Sequence, residues 1–226
     1  MKVAIMQPYF YPYLGYYQLI SECDVFIFLD DVNFIRKGFI HRNFINLVGE
    51  KTQINLRLVK ASQNKKINEL QISDSISDFK SRVEVAYKKS RYWQDVAQIL
   101  DKHATGKNSS LSEFLIDINI NLISRLGIDV KILKSSEIEL DFFGLRGEER
   151  IIELTKAIGG TSYINLPGGK SLYSDETFSE NSIGLEFVVP RLKLNGEVEN
   201  SYSIIDCVAH HGFDELNNWF STKSFA

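Results

Sequence analysis

Residues 2–31 read KVAIMQPYFYPYLGYYQLISECDVFIFLDD, and this stretch decides the fold. VAIM and DVFIFLDDV are short apolar runs of buried-strand type, and YLGYYQLISE between them carries a helical pattern. Strand, short helix and strand make the unit that builds a parallel sheet with a right-handed crossover. The junction after the first strand holds two prolines, a glycine and five tyrosines. Pro8 and Pro12 fix φ and keep the junction extended. Gly15 permits close backbone approach where the helix opens. First-turn amides attract phosphate or carboxylate, and phenols can donate a hydrogen bond while stacking on a base or sugar ring. Ligands of open α/β sheets bind at the carboxyl ends of the strands. Gln7, Pro8, Tyr9, Tyr13, Gly15 and Tyr16 are therefore the first ligand-binding candidates. An aromatic loop packed over the sheet is the alternative reading of the same residues.

Outward from this unit, residues 39–61 (FIHRNFINLVGEKTQINLRLVKA) read as a hairpin around Gly49. Residues 78–126 turn helical, with FKSRVEVAYKKSRYWQDVAQIL as one apolar-periodic run and SSLSEFLIDININLISRL as another, capped at Ser109 or Ser110. DVKILKSSEI gives a strand, GEERIIELTKAIGG a glycine-closed helix, TSYINLPGGKSLY a strand and loop, GLEFVVPRL a strand, and YSIIDCVAHHGFDEL a last helix. Strand–helix alternation at both ends predicts an α/β fold with a parallel, Rossmann-like core. The hairpin and the helical segment at about 78–126 are insertions in a single domain over residues 1–226.

The formal net charge of −3 offers no global field for nucleic acid or an anionic surface, so an anion site must be local, and an extensive nucleic-acid surface is not expected. Cys23 and Cys207 sit in apolar patterns without metal spacing and read as buried thiols of a reducing compartment. With no secretory h-region and no run of the roughly 18 apolar residues a bilayer span needs, the expectation is a cytoplasmic protein.

The second chemistry-bearing segment is DDVNFIRKGFIHRN. If it is extended, Arg36, Gly38, Ile40 and Arg42 share one face, and Lys37, Phe39 and His41 the other. Arg36, Lys37 and Arg42 can clamp a diphosphate or carboxylate. Asp30 and Asp31 can take a metal or ribose hydroxyls, or neutralise the arginines. His41 is the natural general base, with Asp30 and Asp31 as further catalytic candidates. Lys60 and Asn64, in VKASQNKKINEL, can meet anionic groups. Ser135 ends a strand and can bind phosphate or cap the next helix, capping being favoured. Gly168 and Gly169, before Lys170, form an anion nest or a simple tight turn. His210 and His211 face different directions on a helix, and a helix C-terminus explains them without a metal. No GxSxG, HExxH or Cys–His pattern supports covalent hydrolysis or zinc chemistry.

In joint order, IMQPYFYPYLGYYQLI, DVFIFLDDVNFIRKGFIHRN, VKASQNKKINEL, TSYINLPGGKSLY and YSIIDCVAHHG resemble the WbqC-like protein family nearly end to end. Members are associated with gene clusters for O-antigen and other surface polysaccharides. The resemblance implies work on a nucleotide-linked amino sugar, placing an acyl or aminoacyl group, with glycine the best guess, on its amine. The implied donor is acyl-CoA, aminoacyl-tRNA, or ATP plus a free amino acid. A more distant similarity joins Tyr13-Leu14-Gly15-Tyr16 to the H-x-G-H signature of class I nucleotidyltransferases, and SSEI at 135–138 to their serine-rich phosphate motif. That scaffold can make an amide by activating a carboxylate with ATP. Both signature histidines are tyrosines here, and a phenol with a reference pKa of about 10 supplies no positive charge at neutral pH. A non-catalytic nucleotide-sugar binder is the third reading.

Overall fold

The computed structural model describes residues 1–73, 77–102, 109–141, 144–190, 193–194, 196–197 and 202–222. Along the chain these form β1 (Lys2–Met6), α1 (Leu14–Ser21), β2 (Val25–Phe28), β3 (Arg42–Leu47), β4 (Glu50–Asn55), α2 (Ser77–Tyr87), α3 (Trp93–Lys102), α4 (Leu111–Arg125) and β5 (Lys131–Lys134). They continue as α5 (Gly147–Ala157), β6 (Ser162–Asn165), α6 (Asp175–Glu180), β7 (Gly184–Phe187), β8 (Lys193–Leu194), β9 (Gly196–Glu197) and α7 (Ile204–Ser221). The chain divides into two compact units, interleaved in sequence. The first comprises residues 1–7, 15–30 and 129–191; the second comprises 8–14, 31–128 and 192–226. This is a finer division than the single domain read from the sequence.

The first unit is a five-stranded sheet in the order β5-β2-β1-β6-β7, parallel throughout. Counted along the chain within this sheet, the order is 3-2-1-4-5, the Rossmann arrangement, and it reverses between β1 and β6. Parallel sheets need cover on both faces. Val3, Ile5, Val25, Ile27 and Tyr163 point to one face and pack with Ile151, Ile152 and Leu154 of α5, Phe178 of α6 and Ile183. Phe26, one residue out of phase with Val25 and Ile27, meets the ring of Tyr16 from α1 on the other face, centroids 5.7 Å apart.

The second unit is built on the β3–β4 hairpin, whose register runs from Arg42 opposite Asn55 to Leu47 opposite Glu50, turning at Val48–Gly49 as expected. α2 packs on the hairpin and on α3, and α7 packs on α3 and β3. The Tyr87 hydroxyl donates to Asp206 Oδ1 (2.7 Å) and accepts from Asn46 N (3.1 Å), joining the end of α2 to β3 and α7. The periodic run at 79–100 is two helices, α2 and α3, separated by a turn at residues 88–92. Ser110 is the cap of α4, accepting from Glu113 N. Residues 103–108 of the expected helical segment, and Arg191–Leu192 of the expected strand at 184–192, lie outside the described residues.

α7 does not stop after His211. It kinks at Gly212 (φ 72°, ψ 167°) and resumes, with Phe213 N donating to Asp95 Oδ2 at 3.1 Å. A Cβ at Gly212 would sit 2.5 Å from the Tyr92 ring, so glycine is required by conformation and by space. His210 Nδ1 lies 2.8 Å from the Asp206 carbonyl and His211 Nδ1 3.1 Å from Glu215 Oε1, so each has a partner on its own helix.

The stretch at 8–14 is pinned from every side within the second unit. Asn119 Nδ2 donates to Tyr9 O (2.9 Å), and Asn43 Nδ2 donates to Phe10 O (3.1 Å) and Tyr11 O (2.7 Å). Ile204 N, at the start of α7, donates to Pro12 O (2.9 Å), and Phe10 N donates to Phe39 O (3.0 Å). Asn43 and Asn119 are both buried. Their bonds hold Tyr11 at a left-handed φ of 45°, a conformation costing a non-glycine residue about 1–2 kcal/mol. The Tyr11 ring stacks on Phe79 at 5.3 Å. Asn43→Asp puts an acceptor against two buried carbonyls. It is expected to destabilise by more than Asn43→Ala, which strands them at about 1–3 kcal/mol. Urea denaturation of both variants measures the order, and equal losses would remove the amide from this role.

Candidate functional site

All strands of the sheet run one way, so their carboxyl ends lie on one edge. Within the first unit, Gln7 follows β1, Asp30 follows β2, Ser135 follows β5, and Gly168–Gly169 follow β6. These positions, scattered over the sequence, therefore share that edge. Gln7 and the two glycines flank the reversal between β1 and β6, where a doubly wound sheet opens a crevice.

Each corner has its own wiring. The Tyr16 hydroxyl donates to Gln7 O at 2.9 Å, and its ring is wholly buried. Tyr16 thus shapes the exit from β1 rather than offering a face to a ring ligand. Gly15 is buried beside it at the opening of α1. Asp30 is buried, and both its carboxylate oxygens receive donors: Ser135 Oγ (3.1 Å) and Ser136 N (3.0 Å) at Oδ1, and Ser136 Oγ (2.8 Å) at Oδ2. Ser135 Oγ also accepts from Asp30 N at 3.2 Å. The serines therefore open a 3-10 turn (Ser135–Glu137) and clasp the carboxylate, where helix capping was the favoured expectation.

After β6, Pro167–Leu172 form a 3-10 helix with proline in its first turn. Gly169 N donates to Leu166 O at 3.0 Å, so that amide serves the turn. Beneath lies a buried polar cluster that the sequence reading passed over. Asn165 Nδ2 donates to the hydroxyls of Tyr163 (2.9 Å) and Tyr173 (3.3 Å), Tyr163 donates to Tyr173 (3.1 Å), and Leu166 N donates to Asn165 Oδ1 (2.7 Å). Burial pushes both phenols above their ordinary range, so they stay protonated donors. A Cβ on Gly169 would come within 2.8 Å of Asn165 Nδ2, so glycine is what lets the turn close over this cluster. The legible signal was Tyr163 and Asn165 two apart on one face of a buried strand.

The second unit holds the cationic candidates, and here the loop at 8–14 meets the arginine-bearing segment directly. Besides the Phe10–Phe39 backbone bond, the rings of Tyr9 and Phe39 lie 5.9 Å apart. Tyr13 is half-buried, which raises its pKa. Pro8 is buried, and so is Asp31. Arg36 and Lys37 are exposed, whereas Arg42 turns its guanidinium back, Nε to Gly38 O (3.0 Å) and Nη2 to Lys37 O (2.5 Å). Arg42 therefore fastens the turn that carries Arg36 and Lys37. Lys60 is exposed at φ 43°, and Asn64, also exposed, donates its N–H to Ser62 Oγ.

His41 packs against Phe34 at 5.1 Å, and its Nδ1 is buried without a hydrogen-bond partner. Burial, then the charges of Arg42 and Arg36, lower its pKa to about 4. It is neutral at pH 7 and free to accept, but by the Brønsted relation a base of that pKa is a weak one. Among the described residues no three His, Cys, Asp or Glu side chains gather as metal ligands, and no helix is long and apolar enough to cross a membrane.

The sheet order and the strand-end edge define a Rossmann-like α/β protein. The chain belongs to the WbqC-like protein family, whose model matches residues 7–218. It is also 27% identical over 187 residues to an uncharacterized protein of Mycobacterium tuberculosis, Rv1507c, covering 80% of this chain and 79% of that protein. No solved structure matches.

Two outcomes follow. The depressed His41 pKa means that the unfolded chain binds the extra proton first. Stability from this residue is complete above the ordinary histidine pKa of about 6.5 and falls as pH drops toward 4. His41→Phe is expected to flatten that part of a plot of melting temperature against pH, and an unchanged slope would sink the assignment. Asp30→Ala strands Ser135 Oγ and Ser136 N and is expected to cost about 1–3 kcal/mol in urea unfolding, with Asp30→Asn intermediate.

Proposed function

We propose that the protein is an N-acyl or aminoacyl transferase acting in the cytoplasm on a nucleotide-linked amino sugar, in the assembly of a surface polysaccharide. Membership of the WbqC-like family supports the setting. The observation that carries the reading is the placement of Gln7 and Gly168–Gly169 at the carboxyl ends of β1 and β6, where strand order reverses. A nucleoside diphosphate suits such an edge: Gln7 brings a side-chain amide, and Gly15 at the start of α1 and Gly168–Gly169 after β6 let backbone approach without side-chain bulk. Asp30, fixed by Ser135 and Ser136, suits acceptance of ribose or sugar hydroxyls better than proton abstraction.

In the second unit, Arg36 and Lys37 provide exposed positive charge, with Arg42 and the loop at 8–14 setting their position; Lys60 and Asn64 are secondary candidates. An unprotonated amine is already a competent nucleophile. The enzyme's work would be orientation, proton acceptance by neutral His41 or by Asp31, and stabilisation of the oxyanion. The donor is an acyl-CoA, an aminoacyl-tRNA, or ATP with an amino acid such as glycine.

An adenylate-forming ligase or nucleotidyltransferase on the same sheet is the second reading, and a non-catalytic nucleotide-sugar binder the third. The buried, carbonyl-bonded Tyr16 weighs against phosphate contact at the last signature position. Incubating the protein with UDP- and dTDP-amino sugars plus acyl-CoA, or glycine and ATP, and seeking an amide adduct by mass spectrometry tests the proposal. An adduct is expected with one pairing. Pyrophosphate release from ATP would favour the ligase, and thermal stabilisation by a sugar nucleotide without any product would favour the binder.

A further inference from the structure

One surface of the second unit sets Ile35, Phe39, Lys65 and Lys66, which none of the roles above uses, beside Arg36 and Lys37. Gly38 N donates to Ile35 O (3.3 Å), closing a tight turn with Arg36 and Lys37 at its corners. Ile35 and Phe39 flank that turn, 49% and 45% exposed. The tip is rigid: Arg42 holds the carbonyls of residues 37 and 38, and Phe39 O is held by Phe10 N. Distant in sequence, Lys65 and Lys66 join its base. Phe34 N donates to Lys65 O (2.9 Å), Ile67 N donates to Val32 O (2.9 Å), and Asn33 pairs antiparallel with Lys66. Lys65 and Lys66 are exposed, as are Arg36 and Lys37, so four exposed cations sit on the paired segments that carry the outward Ile35 and Phe39. Against these cations stands the exposed Glu69 carboxylate, which accepts from Lys66 N (2.8 Å), while Asp31 is buried. This is local positive charge on a chain whose net charge is −3.

We propose that the Ile35–Phe39 turn with Lys65 and Lys66 docks the protein on an anionic lipid surface, the apolar pair entering the headgroup boundary and the cations meeting lipid phosphates. Charge complementarity identifies the occupant, and the apolar pair separates it from the alternatives. A free phosphate or nucleotide gains nothing from an exposed isoleucine. Single-stranded nucleic acid would use Phe39 for stacking but leaves Ile35 idle. A bilayer uses both, and a turn already rigid loses little freedom on insertion. Such docking is reversible and weakens as salt screens the headgroups.

The test is co-sedimentation of the full chain with phosphatidylglycerol–phosphatidylcholine vesicles and with pure phosphatidylcholine vesicles. Binding is expected to the anionic vesicles alone and to fall with added salt. Each lysine near the surface contributes about 5-fold in partitioning, so Lys65→Gln with Lys66→Gln is expected to lower it about 25-fold. Ile35→Ser, which changes no charge, is expected to lower it several-fold. Both variants should keep the wild-type melting temperature and any thermal shift given by a sugar nucleotide, so this docking and the transferase reading can fail separately. Absence of binding to anionic vesicles at low salt overturns the proposal. So does binding that ignores both sets of substitutions, or a loss that appears for a single-stranded oligonucleotide and not for vesicles.

Discussion

Five backbone carbonyls, those of Gln7 and of residues 9–12, are each met by a specific donor, and the path of the chain between β1 and α1 depends on that fact. Proline at positions 8 and 12 removes two N–H groups from the stretch, so it cannot satisfy itself by forming a helix or joining a sheet. Left buried and unpaired, those carbonyls would make the conformation untenable. Asn43, Asn119, Tyr16 and the first amide of α7 supply what the local chain cannot. The left-handed Tyr11 survives because its neighbours over-determine it.

The same logic recurs at the sheet edge. Asp30 is clasped by two serines, and the turn after β6 rests on the Tyr163–Asn165–Tyr173 cluster. Buried polar groups are tolerable only when paired, and paired groups fix geometry. The turns at this edge are therefore set by hydrogen bonds beneath them. Exposed ion pairs such as Lys2–Glu186 and Arg57–Asp78 contribute little beside this, since solvent screens them.

Positive charge in the second unit has two distinct uses. Arg42 places two of its donors on carbonyls, a structural use, and Arg36 and Lys37 stand outward on the turn it fastens. Burial, then the charges of Arg42 and Arg36, keep His41 neutral. Read as an extended segment, the spacing put Arg36 and Arg42 on one face; the chain turns at 35–38 instead, and Arg42 bonds the carbonyls of that turn.

The parallel α/β core, the hairpin at Gly49, the Ser110 cap and the strand-end positions of Gln7, Asp30, Ser135 and Gly168 were legible in the sequence. Each depends on local periodicity, turn chemistry or capping, which act over a few residues. Asn119 left a fainter trace, as a polar residue on the apolar stripe of α4. The helix break at 88–92, the kink of α7 at Gly212, the interleaving of the two units, and the meeting of the segments that carry residues 65–66 and 36–37 were decided only by tertiary structure. Those features follow from hydrogen bonds between residues far apart in the chain, and no short-range pattern encodes which donor will find which carbonyl.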